Sequence, residues 1–265
     1  LIDVVYIYSN MHASWHELRY SLRSLQNLSG IRTVHIIGDP PEWIENTQVR
    51  WSVPMQPSSL SKFRDQNTKI FIAISDESVS DDFVLMHDDV LFTKKTDPDE
   101  LNGWHLCDLT DTKTMTESKH RDLTIKTMEL FKDSLNYETH MPYLYNKKKM
   151  LECFKLYNPI QNALQIATMY FNRFRGESRQ CRGIITNHFG VDSMKSISSD
   201  DFQWILQNER KIMNYNDHGL TRELIQYIMQ KFPKQSKFEK HADIDLPGNN
   251  DYYYRLGGSG CQNCN

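Results

Sequence analysis

Apolar and polar positions follow two rhythms along the first third of the chain. Val4 to Tyr8 (VVYIY) is an unbroken run of β-branched and aromatic residues, the pattern of a buried strand. The spacing then changes. Leu18, Leu22, Leu25 and Leu28 recur every three or four residues, which predicts a helix with one inward face. Ser14, with Glu17 three residues on, predicts a capping box at its start, and Gly30 predicts its end. Thr33 to Ile37 (TVHII) reads as a second strand, closed by Asp39-Pro40-Pro41. Strand, helix and strand in this order predict a parallel pair joined by a right-handed crossover.

Residues 51–65 hold Pro54, Pro57 and several serines, and read as a long loop. Lys69 to Ile74 fits a helix with Ile70, Ala73 and Ile74 inward. Phe83 to Met86 (FVLM) is a third strand, which runs into His87-Asp88-Asp89 and then Val90-Leu91-Phe92. Asp108 to Arg121 is polar and threonine-rich, and reads as a mobile loop or lid. Helices are predicted over 122–135, Asn146 to Tyr157, Pro159 to Phe174 and Leu220 to Phe232. The expected fold class is α/β: a mostly parallel, Rossmann-like central sheet with added C-terminal helices. The sheet core occupies 1–105 and a mainly helical part 120–240, together one domain over 1–240. Residues 241–265 form a polar C-terminal extension.

Composition narrows the function classes. Lys and Arg number 31 against 34 Asp and Glu, a net charge of −3, which argues against coating nucleic acid by bulk attraction. There is no run of eighteen apolar residues and no basic-then-apolar leader, so a cytoplasmic protein without integral membrane contact is expected. Cys107, Cys153, Cys181, Cys261 and Cys264 are too scattered for a disulfide scaffold. The terminal Cys261/Cys264 pair has no second pair to complete a zinc site and reads as tail. Dinucleotide, P-loop, α/β-hydrolase and zincin signatures are all missing.

The residues best suited to chemistry are Asp88 and Asp89. Adjacent carboxylates at the end of an apolar strand are costly unless wet, paired or bound to metal. The C-terminal ends of parallel strands are also where α/β proteins bind ligands. Hard oxygen ligands suit Mg²⁺ or Mn²⁺, which neutralise a diphosphate. His87 lines the same strand end. Arg19 and Arg23, one turn apart, either face a phosphate or form the wet side of their helix. His140 stands before Met141-Pro142 in a constrained extended stretch, where it is a candidate base for an acceptor hydroxyl. Arg173 and Arg175 flank Phe174, and Asn216-Asp217 precede a helix that Asp217 is placed to cap.

These pieces, in order, resemble a known family. Ile2-Asp3-Val4-Val5-Tyr6 with Glu17-Leu18-Arg19-Tyr20-Ser21-Leu22-Arg23-Ser24-Leu25 is similar to the start of the Stealth-type sugar-phosphate transferases. Val34 to Asp39, Pro41 to Ile44 and the Phe83 to Phe92 acidic strand-end segment continue the likeness, as do His140-Met141-Pro142-Tyr143 and Asn172-Arg173-Phe174-Arg175. Tyr215-Asn216-Asp217 and Phe232 to Glu239 close it. Strand-end acids of this kind also occur in nucleotide-sugar glycosyltransferases of the GT-A type, and the resemblance makes the expected domain GT-A-like.

The resemblance implies roles. Asp89, with Asp88, serves the metal (Mn²⁺ or Mg²⁺) or the donor diphosphate. His140 is a base or phosphate-handling residue. Arg19 and Arg175 steady donor phosphates, Arg175 among the catalytic residues with His140 and Asp217, and Asp217 belongs to the catalytic cleft or binds the metal; Arg23 and Asn216 are counted with the donor-binding residues. Two departures fall on the donor side. Tyr8-Ser9-Asn10-Met11 replaces the family's tryptophan-containing run, and Ser58 to Thr68 replaces its proline-threonine-phenylalanine run. The expected reaction is therefore metal-dependent glycosyl transfer from a nucleotide-sugar, a UDP-sugar, to a hydroxyl of a glycan, polymer or modified nucleotide. Sugar-1-phosphate transfer is the first alternative. A viral DNA-modifying glycosyltransferase, with a basic face of Lys147, Lys148, Lys149, Arg173, Arg175, Arg179 and Arg182, is the second. A noncatalytic carbohydrate- or nucleotide-binding module is the third.

Overall fold

A computed structural model describes residues 1–10, 13, 15–51, 61–181, 186–189, 202–203, 206–215 and 219–240. The first half runs β1 (Ile2–Ile7), α1 (Glu17–Ser24), β2 (Ile31–Gly38), β3 (Gln48–Trp51), α2 (Ser61–Ser75), β4 (Asp82–Met86), β5 (Val90–Phe92) and β6 (Trp104–His105). There follow α3 (Leu109–Thr114), α4 (Lys119–Met128), β7 (Tyr143–Asn146), α5 (Lys147–Tyr157), α6 (Pro159–Asn162) and α7 (Ile166–Arg173). Short strands β8 (Arg179–Gln180), β9 (Thr186–Phe189) and β10 (Ile212–Tyr215) and helix α8 (Arg222–Lys231) complete the described elements.

The main sheet has the order β3-β2-β1-β4-β7. Its first four strands are parallel, and β7 joins β4 antiparallel at the edge. This is the mainly parallel α/β sheet expected from the strand–helix–strand pattern. β1 is buried along its whole length, as a central strand covered on both faces should be. Val5 and Ile7 pack with Ile70, Ala73 and Ile74 of α2 and with Met150, Met169 and Tyr170 beyond. Val4 and Tyr6 face the other way, onto Leu18 and Leu22 of α1. A second sheet, β5-β10-β9, pairs β5 antiparallel with β10, and a third cluster joins Leu91, Met213 and Tyr215 to Leu224 and Ile228 of α8.

Asp3 is a charge inside this core. Its carboxylate accepts from Arg32 Nε at 2.8 Å and from the Ser80 amide at 2.7 Å, and His35 Nε2 sits 3.1 Å away. Burial alone would raise its pKa, but Arg32, the Ser80 amide and His35 outweigh burial and hold it at about 2.

Several expectations are corrected. Helix α1 begins at Glu17 with His16 in the cap position and no side-chain cap; Ser14 falls outside the described residues. The expected loop over 51–65 gives way to helix from Ser61. Asp108 to Arg121, read as a loop or lid, carries α3 and the start of α4. Its polar residues hold the helices: Asp108 accepts from the Asp111 amide and Ser118 from the Arg121 amide. The helix expected over 122–135 ends at Met128, and that over 159–174 is split where Ala163 turns left-handed (φ +51°). Thr221, not Asp217, caps α8. His140 is left-handed (φ +55°) rather than extended. No helix among the described residues is long and apolar enough to cross a membrane.

Candidate active site at the strand ends

Strands β1, β2 and β4 finish at one edge of the sheet. Tyr8 follows β1, Asp39 follows β2, and His87-Asp88-Asp89 follows β4. The first two strand ends close on each other through a glycine. A Cβ on Gly38 would meet the Tyr8 carbonyl oxygen at 2.0 Å, and its φ of +148° is one that L residues rarely adopt. Lys69, itself 2.8 Å from Asp65, donates to that same Tyr8 carbonyl at 2.9 Å. Beyond it, the Tyr8 hydroxyl donates to Asn10 Oδ1 at 3.2 Å, and the Asn10 amide donates to Asp39 Oδ1 at 3.0 Å.

The His87-Asp88-Asp89 turn joins the two sheets. Strand β4 ends the main one at Met86 and β5 opens the smaller one at Val90. Helix α1 pins the turn from below: Ser21 Oγ donates to the Val90 carbonyl at 2.6 Å and lies 2.8 Å from the Tyr6 hydroxyl. Asp88 and Asp89 are half-buried. The phenol pKa values of Tyr6 and Tyr8 are pushed up by burial first and by the Asp88 charge next. That of Tyr215 is pushed well up by burial, then by Glu17, Asp89 and Asp88. His87 is held neutral, its pKa lowered by burial against the opposing pull of Asp88 and Glu138.

The backbone of His140 is tied to the strand that pairs with β5. Asn214 pairs with Val90 across β10 and β5, and its Nδ2 donates to the His140 carbonyl at 2.7 Å. The exposed His140 ring stacks on His120 with centroids 6.1 Å apart. Asn216 and Asp217, directly after β10, fall outside the described residues. Arg175 is exposed and donates to the Asp133 carbonyl at 2.6 Å, beside His105.

Arg19 and Arg23 do not form a wet face. Both are buried, and both guanidinium groups are taken up by Glu239. Arg19 Nη1 donates to Oε2 at 2.7 Å; Arg23 Nε and Nη2 donate to Oε1 and Oε2, each at 2.8 Å. The Ser236 amide adds a bond at 2.8 Å, and Trp43 covers the Arg19 guanidinium at 4.2 Å. Burial would raise the Glu239 pKa, but Arg23 and the Ser236 amide reverse its direction. Glu239 thus gives both arginines a shared counter-charge inside the protein.

A hard divalent cation asks a protein for one or two carboxylates when phosphates fill the rest of its shell. Asp88 and Asp89 fit that requirement. Among the described residues no group of three or more His, Cys, Asp or Glu is placed to hold a cation. Sequence reasoning passed over Glu17, Asn214, Tyr215 and Glu239. No local pattern marked Asn214, whereas the FE ending of the last motif was the signal for Glu239.

No family model and no curated protein matches the chain. Among solved structures it is similar to the galactosyltransferase LgtC in complex with donor and acceptor sugar analogs, at 12% identity over 89% of this chain and 98% of that one, with a TM-score of 0.48. It is also similar to the apo-form glycosyltransferase GlyE of Streptococcus pneumoniae TIGR4, at 10% identity over 88% of this chain and 60% of that one, TM-score 0.47. The apo bifunctional glycosyltransferase WbbM gives 11% identity over 88% and 52% of the two chains, TM-score 0.48. Likeness at this level assigns the chain neither a family nor a reaction.

Proposed function

We propose that residues 1–240 form one GT-A-like catalytic domain that transfers a sugar from a nucleotide-sugar, a UDP-sugar, to a hydroxyl acceptor. The observation that carries this reading is the convergence, at the C-terminal ends of parallel strands, of Asp88-Asp89 with His140, joined to them through Asn214 and Val90. Asp88 and Asp89 would hold Mn²⁺ or Mg²⁺, and the cation, when bound, neutralises charge on the departing diphosphate. In the step itself the acceptor oxygen bonds to the anomeric carbon. The bond from that carbon to the diphosphate breaks, and the nucleoside diphosphate leaves with the electron pair. His140 takes the acceptor proton on its imidazole, and Asn214 fixes the backbone that carries the ring. Asn216 and Asp217, next in the chain after Tyr215, complete the cleft in this proposal.

The arginines favour glycosyl over sugar-1-phosphate transfer. Attack at phosphorus demands cations around the reacting phosphoryl group, yet Arg19 and Arg23 are engaged by Glu239 and Arg175 by the Asp133 carbonyl. Part of the basic face that a DNA acceptor needs is also internally engaged. Lys148 meets Asp81, Arg173 meets Glu152, and Lys147 binds the Asp76 and Val79 carbonyls. This supports a glycan or polymer hydroxyl as acceptor.

Incubation with UDP-sugars labelled in the nucleotide, with Mn²⁺ and hydroxyl acceptors, tests the reading. Released UDP is the expected product. Released UMP would replace glycosyl transfer by sugar-phosphate transfer, and failure to bind any nucleotide-sugar would remove the transferase reading altogether.

A further inference from the structure

Tyr215 ends β10 with its side chain wholly buried, and its hydroxyl has no hydrogen-bond partner. Its ring is locked among Tyr20, Leu91, Met213 and Leu224, a setting that phenylalanine would fill equally well. The hydroxyl is therefore an expense that packing does not explain.

Register says where it points. In the β10–β5 ladder Ile212 pairs with Phe92, Met213 with Leu91 and Asn214 with Val90. One step further sets Tyr215 opposite Asp89, and residues directly opposite in an antiparallel pair share a face. The charges that bear on the hydroxyl agree: Glu17, Asp89 and Asp88. The ring has no exposed surface and packs with Leu91 and with Leu224 of α8, so the hydroxyl is shut off from water. A group this deep does not reach a substrate. It reaches a side chain that does.

We infer that Tyr215 is a positioning residue for Asp89, its hydroxyl donating to the Asp89 carboxylate once that carboxylate holds a divalent cation. Carboxylate ligands are regularly fixed by such an outer hydrogen bond, and losing it weakens metal binding about 10–100-fold. The inference rests on the cation role proposed above for Asp88 and Asp89.

The test is titration of the full chain with MnCl₂, with and without UDP, followed by the electron paramagnetic resonance of free Mn²⁺. Tyr215→Phe keeps the ring and removes the hydroxyl. Its Mn²⁺ affinity should fall about 10–100-fold, with no loss of thermal stability in EDTA. In an Asp89→Asn background the same change should alter nothing further. Tyr215→Met gives a second apolar replacement should the phenylalanine variant not fold. Equal Mn²⁺ affinity in the wild type and in a folded variant would overturn the inference and leave the cation reading intact. Absence of Mn²⁺ binding by the wild type with UDP present would overturn both.

Discussion

Helix α1 sends its charges to two places, and the two differ in how far they lie from solvent. Arg19 and Arg23 meet Glu239, which is fully buried and whose two oxygens accept three and two hydrogen bonds. Glu17, at the start of the same helix, adds its charge to the strand-end acids Asp88 and Asp89, beside a buried phenol with no partner. In the first region two guanidinium groups converge on one carboxylate wholly inside the protein. In the second, three carboxylates bear on one phenol, and two of them stand at a half-buried strand end. A buried ion cluster holds structure together; acids at a strand end that solvent can reach are where a ligand can bind.

The comparison breaks first at Glu239. Glu239→Gln leaves two buried guanidinium groups without a counter-charge, and should cost about 3–5 kcal/mol in urea unfolding. A loss below about 1 kcal/mol would mean that the arginines find other partners, and the structural assignment would fall. Next is Asp89→Asn, which should lower turnover about 10²–10³-fold while the unfolding midpoint stays close to wild type. Loss of fold in that variant would place Asp89 with Glu239 on the structural side. The smallest effect concerns Asp3, an internally answered charge at the opposite end of the sheet. Its folded pKa of about 2 lies below the ordinary 3.8. Its contribution to stability is therefore whole above 3.8 and is lost as pH falls toward 2. Asp3→Asn should flatten the acid limb of the stability–pH curve in that window. Because the Arg32 side chain is 45% exposed, the change should be smaller than at Glu239.

What could be read from the sequence followed from local physics. β1, β2 and β4 are dense in β-branched and aromatic residues, so they declared themselves, and the placing of Asp88-Asp89 at a strand end came with them. β3 (QVRW), β7 (YLYN) and β10 (IMNY) are four-residue strands with mixed patterns, and nothing short of the sheet defines them. α3 and α4 lack an apolar stripe and rely on caps, which a hydrophobic period does not register. The burial of the arginines was illegible for a different reason. A spacing of four shows that two side chains share a helix face, but not what covers it. Here the covering residues include Trp43 and a glutamate more than two hundred residues away.

That distance has a consequence for how the molecule is made. The Arg19–Glu239 and Arg23–Glu239 pairs span 220 and 216 residues. Helix α1 is synthesised more than two hundred residues before Glu239, so these two pairs cannot form until Glu239 has been made. Non-local contacts of this kind are made late, after the entropy of closing a very long loop has been spent. Arg19 and Arg23 thus wait for Glu239 before this cluster can close. Until then the growing chain has reason to stay partly open, exposed to chaperones and proteases.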